Sequence, residues 1–166
     1  MNQHEILNGL YSLVKEKYDI CKNDIAAIGK DHPTEKGALQ LKLGIYNVSI
    51  AAGLINCLDN VPEVMNRRFK NFLDHLPAEI SEHYNGLPDE QKIIMSTALY
   101  PETFMRLNFY NTYNTDLEQA EESGDPQKIF KARLKKEVLD EILNMWRDFR
   151  VQNDLFVFAF DDKEGK

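Results

Sequence analysis

The sequence predicts an all-α, single-domain protein, a bundle of six or seven helices with a long C-terminal helix. Apolar residues recur at spacings of three and four along most of the 166 residues. Proline and glycine residues interrupt this pattern at short intervals and predict the ends of the helices. The composition, 43% hydrophobic and 28% charged, is that of an ordinary globular protein. A chain of this length can bury one core, so we expect residues 1–166 to form a single helical domain.

The first helix is predicted from apolar residues that recur between Ile6 and Ile28, and "GKDHPT" ends it. Thr34 is predicted to cap the second helix. Residues 39–50 leave two interpretations open, because "LQLKLGI" alternates like a strand while Leu39, Leu43 and Tyr46 also share one helical stripe. We favour a helix, and a central one, because a second apolar stripe lies beside the first. Its glycines would let neighbouring helices approach closely.

Three prolines are predicted to begin helices in the middle of the chain. Pro62 begins the third helix, and "LPAEISEHYNG" is a short helix closed by Asn85 and Gly86. Pro88, followed by acidic residues, begins the next one. Pro101 is predicted to begin a further helix, which ends at "SGDP".

The last helix is predicted to begin at Asp125 and Pro126, with apolar positions from Ile129 to Phe149. The same spacing continues through Asn153, Phe156 and Phe160, so residues 155–160 are interpreted as further helical turns or as irregular structure packed on the protein's own core. A strand is the competing interpretation, because every second residue of this stretch is Phe.

Charge and apolar content argue against two classes of partner. The formal net charge of −7 disfavours a nucleic-acid-binding protein, which needs a basic surface. The longest uncharged stretch, residues 43–58, would span about 24 Å as a helix, less than the roughly 30 Å of a bilayer core.

The sequence "MNQHEILNGL" has no secretory pattern. Cys21 and Cys57 lie in apolar patterns without a CxxC pair, which predicts free thiols and a cytoplasmic protein.

The sequence contains no phosphate-binding loop, dinucleotide fingerprint, HExxH motif or nucleophile elbow, so we expect no cofactor. His75, Glu79 and His83 have the four-residue spacing of metal ligands on one helical face. Pro77 lies between the first two and breaks that helix, so we expect no metal site.

The stretch "RRFKNFLDH" places Arg68 seven positions before His75. It resembles the arginine-then-histidine motif of the HEPN helical ribonucleases. The resemblance implies a small all-α dimer in which Arg68 holds phosphate and His75 acts as acid or base, without a metal. A HEPN-like ribonuclease is therefore the alternative function.

Two charge blocks adjoin the "SGDP" turn. Residues 116–125 carry five acids and no base, and residues 128–136 carry five bases and no acid. The favoured interpretation is that the blocks neutralise each other across the turn. The other interpretation is a bipolar surface, with the acids facing a basic partner or the bases facing an anion.

The stretch "NFYNTYNT" before these blocks combines tyrosines and asparagines, which are typical of adaptable contact surfaces. Core packing of the tyrosines is the competing interpretation. The predicted partner-binding residues are Tyr110, Asn111, Tyr113, Asn114, Glu118, Glu121 and Glu122.

The predicted function is binding of another protein, as an inhibitor or regulator of the immunity-protein or antitoxin type. This prediction is an analogy with other small acidic helical proteins. The sequence leaves a homodimer open. A small-molecule pocket between helices is a third class, which a sequence cannot display.

Overall fold

The computed structural model describes residues 1–53, 61–159 and 161, and it confirms an all-α single domain. In this part of the chain, α5 and α6 join through a π turn (Arg106–Tyr110), so seven α-helical segments make six separate helices. A 3₁₀ turn, Leu73–His75, follows the third helix. The segments are α1 (Gln3–Ala27), α2 (Pro33–Gly53), α3 (Val61–Phe72), α4 (Ala78–Asn85), α5 (Asp89–Met105), α6 (Asn111–Ser123) and α7 (Pro126–Gln152).

The first two helices begin at different kinds of cap. Asn2 Oδ1 accepts a hydrogen bond from the Glu5 backbone N–H at 2.9 Å, and the Glu5 carboxylate accepts one from the Asn2 N–H at 3.0 Å. The prediction that Thr34 caps α2 is wrong, because the helix already begins at Pro33. A proline fits this first turn because its missing N–H needs no partner there. Residues 39–50 are helical, so the strand interpretation of this stretch is also wrong.

The central helix is α5 and not α2. Nine consecutive residues of α5, 95–103, are buried, so the helix is covered on every side. Helix α2 buries Ile45, Tyr46 and Ile50 but exposes Val48. None of the helices in the described part of the chain combines the length and the apolar content that a membrane crossing requires.

Pro101 lies inside α5 and does not begin a helix, so that predicted boundary is wrong. The helical path continues from Asp89 through the π turn to Ser123. A proline inside a helix removes one backbone hydrogen bond, here the one to the Thr97 carbonyl, and disfavours the helix by about 3 kcal/mol. Burial of the neighbouring Leu99, Tyr100 and Met105 offsets this local cost.

The core is centred on Trp146 of α7, which is fully buried. Its indole Nε1–H donates to the Leu10 carbonyl at 3.1 Å and so ties α7 to α1. The two helices also approach closely at Gly9, where a Cβ atom would lie 2.4 Å from Phe149 Cζ. In α2, by contrast, a Cβ at Gly37 or Gly44 would meet no atom within 4 Å, so these glycines do not serve close packing.

Helix α7 ends at Gln152, so the interpretations of residues 155–160 as further turns of this helix or as a strand are both wrong for residues 155–158, whereas residue 159 is again helical. Asp154 and Phe156 both have φ of 52°, a left-handed conformation that a right-handed helix does not continue through. Leu155 and Phe158 are buried in the main core cluster. Irregular packing onto the protein's own core is therefore confirmed, and Phe160 lies outside the described residues.

Of the two cysteines, Cys21 is a free, buried thiol, as predicted, and Cys57 lies outside the described residues. The Cys21 Sγ–H donates to the Leu39 carbonyl at 3.1 Å. Burial raises the pKa of this thiol, so the reactive thiolate is disfavoured.

Candidate functional site

Arg68 and His75, the pair behind the ribonuclease alternative, have different surroundings. Arg68 lies on α3, is half-buried, and donates from Nη1 to the Tyr100 hydroxyl at 3.4 Å. His75 ends the 3₁₀ turn and is exposed. The structure therefore assigns Arg68 a packing contact with α5, and the ribonuclease alternative stays a prediction.

Glu79 and His83, two of the three residues with metal-ligand spacing, contact the segment after α7. Glu79 Oε1 accepts a hydrogen bond from the Ala159 N–H at 3.4 Å. The His83 ring lies edge-on to Phe156 and Phe158, with ring centroids 5.9 and 5.8 Å apart. Among the described residues, no group of three His, Cys, Asp or Glu side chains is placed to hold a metal ion.

Arg150 holds the same segment from inside through a buried ion cluster. Its guanidinium contacts both oxygens of Glu102 on α5, lies 2.8 Å from Asp161 Oδ1, and donates to the Phe156 carbonyl at 2.9 Å. Asp161 Oδ2 also accepts the Phe158 backbone N–H at 2.8 Å. Burial raises the pKa of Glu102 despite the nearby arginine. Burial lowers the pKa of Arg150, but the two carboxylates outweigh this and raise it above its usual value.

The two predicted partner-binding tyrosines are half-buried and pack against the core. Arg106 lies over the Tyr110 ring, and the Lys135 ammonium lies over the Tyr113 ring, each 5.9 Å from the ring centroid. Burial raises the pKa of the Tyr113 hydroxyl. The tyrosines therefore present less free surface than the sequence interpretation assumed.

The predicted polar members of this site lie around α6. Asn114 is half-buried, and the exposed members are Asn111, Glu118, Glu121 and Glu122. Glu121 faces Arg133 of α7 at 3.7 Å, which is a contact between the acidic and basic blocks across the turn. The structure therefore brings Glu121, one of these acids, next to α7.

A groove between α2 and α7, here called the α2–α7 groove, is a second candidate surface. The Tyr46 hydroxyl donates to Glu141 Oε1 at 2.8 Å, which joins the later turns of the two helices. Their first turns line a groove of about 760 Å³. The lining includes Gly37, Ala38 and Leu41 of α2 and Phe130, Lys131 and Lys135 of α7.

The α2–α7 groove combines an exposed aromatic ring with positive charge. Phe130 is 51% exposed, and among the large apolar side chains of the described residues only Met1 is more exposed. Lys131 and Lys135 line the groove, whereas no Asp, Glu, His or Cys in the described part of the chain does. Helical spacing alone places Phe130 among the regular apolar residues of α7 and assigns it no role in a site. Its position inside the basic block "KIFKARLKK" is the signal that could have identified it.

Comparison with known proteins gives no match to a protein-family model, to a curated protein or to a solved structure. A function for this chain is therefore inferred from the geometry of the surfaces described above.

Proposed function

We propose that this chain is a protein-binding module whose partner docks in the α2–α7 groove. The observation that supports this most strongly is the exposed Phe130 ring at the edge of the groove. Complete burial of a phenylalanine side chain is favourable by about 1.5–3 kcal/mol, and about half of this remains to be gained at a ring that is 51% exposed. Aromatic side chains beside a pocket are the residues on which binding energy concentrates in protein interfaces.

The chemistry of the groove favours binding over catalysis. Among the described residues, its lining offers no carboxylate, imidazole or thiol for acid–base or nucleophilic chemistry. It does offer an apolar surface shared by two helices, which is a common docking site for a segment of another protein.

The proposed biological role is that of an inhibitor or regulator of the immunity-protein or antitoxin type, acting in the cytoplasm. Such a protein works by occupying a surface of its target and requires no catalytic group. The small acidic helical build supports this role by analogy. The buried free thiol of Cys21 supports a reducing compartment.

The experiment is affinity capture from native lysate with three tagged proteins, the wild type, Phe130→Glu and Val151→Glu, followed by mass spectrometry. Val151 is the matched control because it lies on the same helix and is 41% exposed, outside the groove. We expect one partner at near-equal stoichiometry with the wild type and with Val151→Glu. We expect its loss with Phe130→Glu. Equal capture by all three proteins would contradict the groove, and no partner with any of them would contradict protein binding.

The ribonuclease alternative has its own test. If it is correct, the purified protein cleaves single-stranded RNA without added metal and His75→Ala abolishes the cleavage. The binding proposal expects no cleavage that depends on His75.

A further inference from the structure

We infer that the partner's docking segment is an acidic amphipathic helix, an inference that rests on the proposed protein-binding function. The charge of the groove is the first argument. Lys131 and Lys135 are its charged lining residues, and both are cations. Lys128 and Lys136 belong to the same half of α7, whereas Arg133 in this half already pairs with Glu121. Although the whole chain carries −7, charges farther away than about 8 Å are largely screened at physiological ionic strength.

The spacing of the two lysines is the second argument. Residues four apart on a helix lie on one side, about 6 Å apart along the axis. Acids four apart on a helix alongside α7 would have the same separation as the two lysines. The Lys135 side chain lines the groove, and its ammonium lies over the Tyr113 ring of α6, 5.9 Å from the ring centroid.

The apolar surface between the helices is the third argument. Phe130, Leu41 and Ala38 provide apolar contact area on both sides of the groove. Gly37 adds no side chain, and the space where its Cβ would be is open, so another backbone can approach there. The lining spans residues 33–41 and 126–135, which corresponds to about 12–15 Å of helix, or between two and three turns. A short helix with leucine-like residues along one side fits this length.

The chain's own acidic helix is not the occupant. Helix α6 carries the acidic block, but its apolar side already packs on this molecule, with Tyr113 half-buried and Ala120 buried. Helix α6 of a second copy could bring these acids to the groove. Its apolar residues, which the groove requires, would stay packed in that copy. Helix α6 of a second copy therefore does not match the groove, and we assign the matching helix to a different protein.

The test uses three probes of defined chemistry. The first is a fluorescent helical peptide of two to three turns with Leu on one side and Glu beside it, and the second has Lys in place of every Glu. The third is dodecanoate below its micelle concentration, as a small apolar carboxylate that competes with the peptide. Binding is followed by fluorescence anisotropy at low and at physiological salt.

We expect the acidic peptide to bind the wild type at least about tenfold more tightly than the basic peptide, with an affinity that falls as salt is added. Lys131→Glu/Lys135→Glu should reverse this preference. Lys22→Glu/Lys70→Glu, with the same change of charge at exposed positions outside the groove, should keep it. The salt dependence of the wild type tests the charge argument even if the first double variant fails to fold.

Three results would overturn the inference: equal binding of both peptides, acidic-peptide binding that is unchanged by Lys131→Glu/Lys135→Glu in a folded protein, or displacement of the peptide by dodecanoate with a tighter affinity. The last result would indicate a small-molecule site. If the peptides fail while Phe130→Glu still removes a captured partner, the protein-binding function stands and only the partner's chemistry is wrong.

Discussion

Arg150 Nη2 lies 2.8 Å from Asp161 Oδ1, and this buried contact joins the last turn of α7 to the segment after it. Glu102 of α5 contacts the same guanidinium, so one cation pairs with two carboxylates. The cluster fixes the position of Phe156 and Phe158. The Phe156 carbonyl accepts a hydrogen bond from Arg150, and the Phe158 backbone N–H donates one to Asp161. The ion cluster therefore has a structural role, and its residues are separated in sequence from those that line the α2–α7 groove.

Replacing Arg150 by Met should lower the free energy of unfolding by about 3–5 kcal/mol, because two buried carboxylates would lose their cation. Urea denaturation followed by circular dichroism measures this change. Arg133→Met is the control, since this side chain is 60% exposed and pairs with Glu121 at 3.7 Å. Its loss should change stability by less than about 1 kcal/mol. Equal losses in the two variants would contradict the assigned role of Arg150.

The stability of the protein should depend on pH through Glu102. Burial raises the pKa of this carboxyl above its usual value of 4.5 despite the contact with Arg150. A group whose pKa is higher in the folded state favours folding while protonated, and this contribution is lost as the pH rises through the folded-state pKa. The free energy of unfolding of the wild type, relative to Glu102→Gln, should therefore fall as the pH rises above 4.5. A difference that grows with pH would mean that the folded-state pKa is lowered.

Gly9→Ala should destabilise the protein, whereas Gly44→Ala should stabilise it. The new Cβ at position 9 would lie 2.4 Å from Phe149 Cζ, and overpacking of this kind costs about 1–3 kcal/mol. The better helix propensity of alanine returns only about 1 kcal/mol. At Gly44 no atom lies within 4 Å of the new Cβ, so only the gain in propensity remains. Thermal unfolding of both variants measures the two signs, and a stabilised Gly9→Ala would contradict the close approach of α1 and α7.

Phe158→Ala should lower the free energy of unfolding by about 3 kcal/mol, because the ring is buried in the core and contacts His83. Val157→Ala, at a side chain that is 40% exposed in the same segment, should have little effect. Chemical denaturation of both variants tests whether the Phe-rich end is structural. An unchanged midpoint for Phe158→Ala would indicate that this segment serves a partner instead.

The helices could be predicted from the sequence because their apolar spacing is regular, but several of their boundaries could not. Pro101 is a local signal for a helix start, and the burial of its neighbours on α5 overrides it. After Gln152, the helical spacing continues through Phe156, yet the left-handed conformation of Asp154 ends the helix and the Arg150 cluster fixes the new path. Both outcomes depend on contacts between residues far apart in sequence.

The candidate site was less predictable than the fold. Spacing identifies Phe130 as one of several apolar residues of α7, but it cannot show that the ring is exposed and lines a groove shared with α2. The tyrosines and asparagines of residues 108–115 resemble a contact surface in sequence, although Asn108 in the π turn donates to the Phe104 carbonyl at 2.9 Å. At least that asparagine serves the local backbone.

The most direct test of the proposed function is hydrogen–deuterium exchange on the protein with and without its captured partner, reconstituted at equal concentrations. We predict that the partner slows exchange in the lining of the α2–α7 groove, at residues 33–41 and 126–135, and leaves residues 116–122 of α6 unchanged. Slower exchange confined to residues 110–122 would place the interface on the acidic side of α6 and contradict docking in the groove.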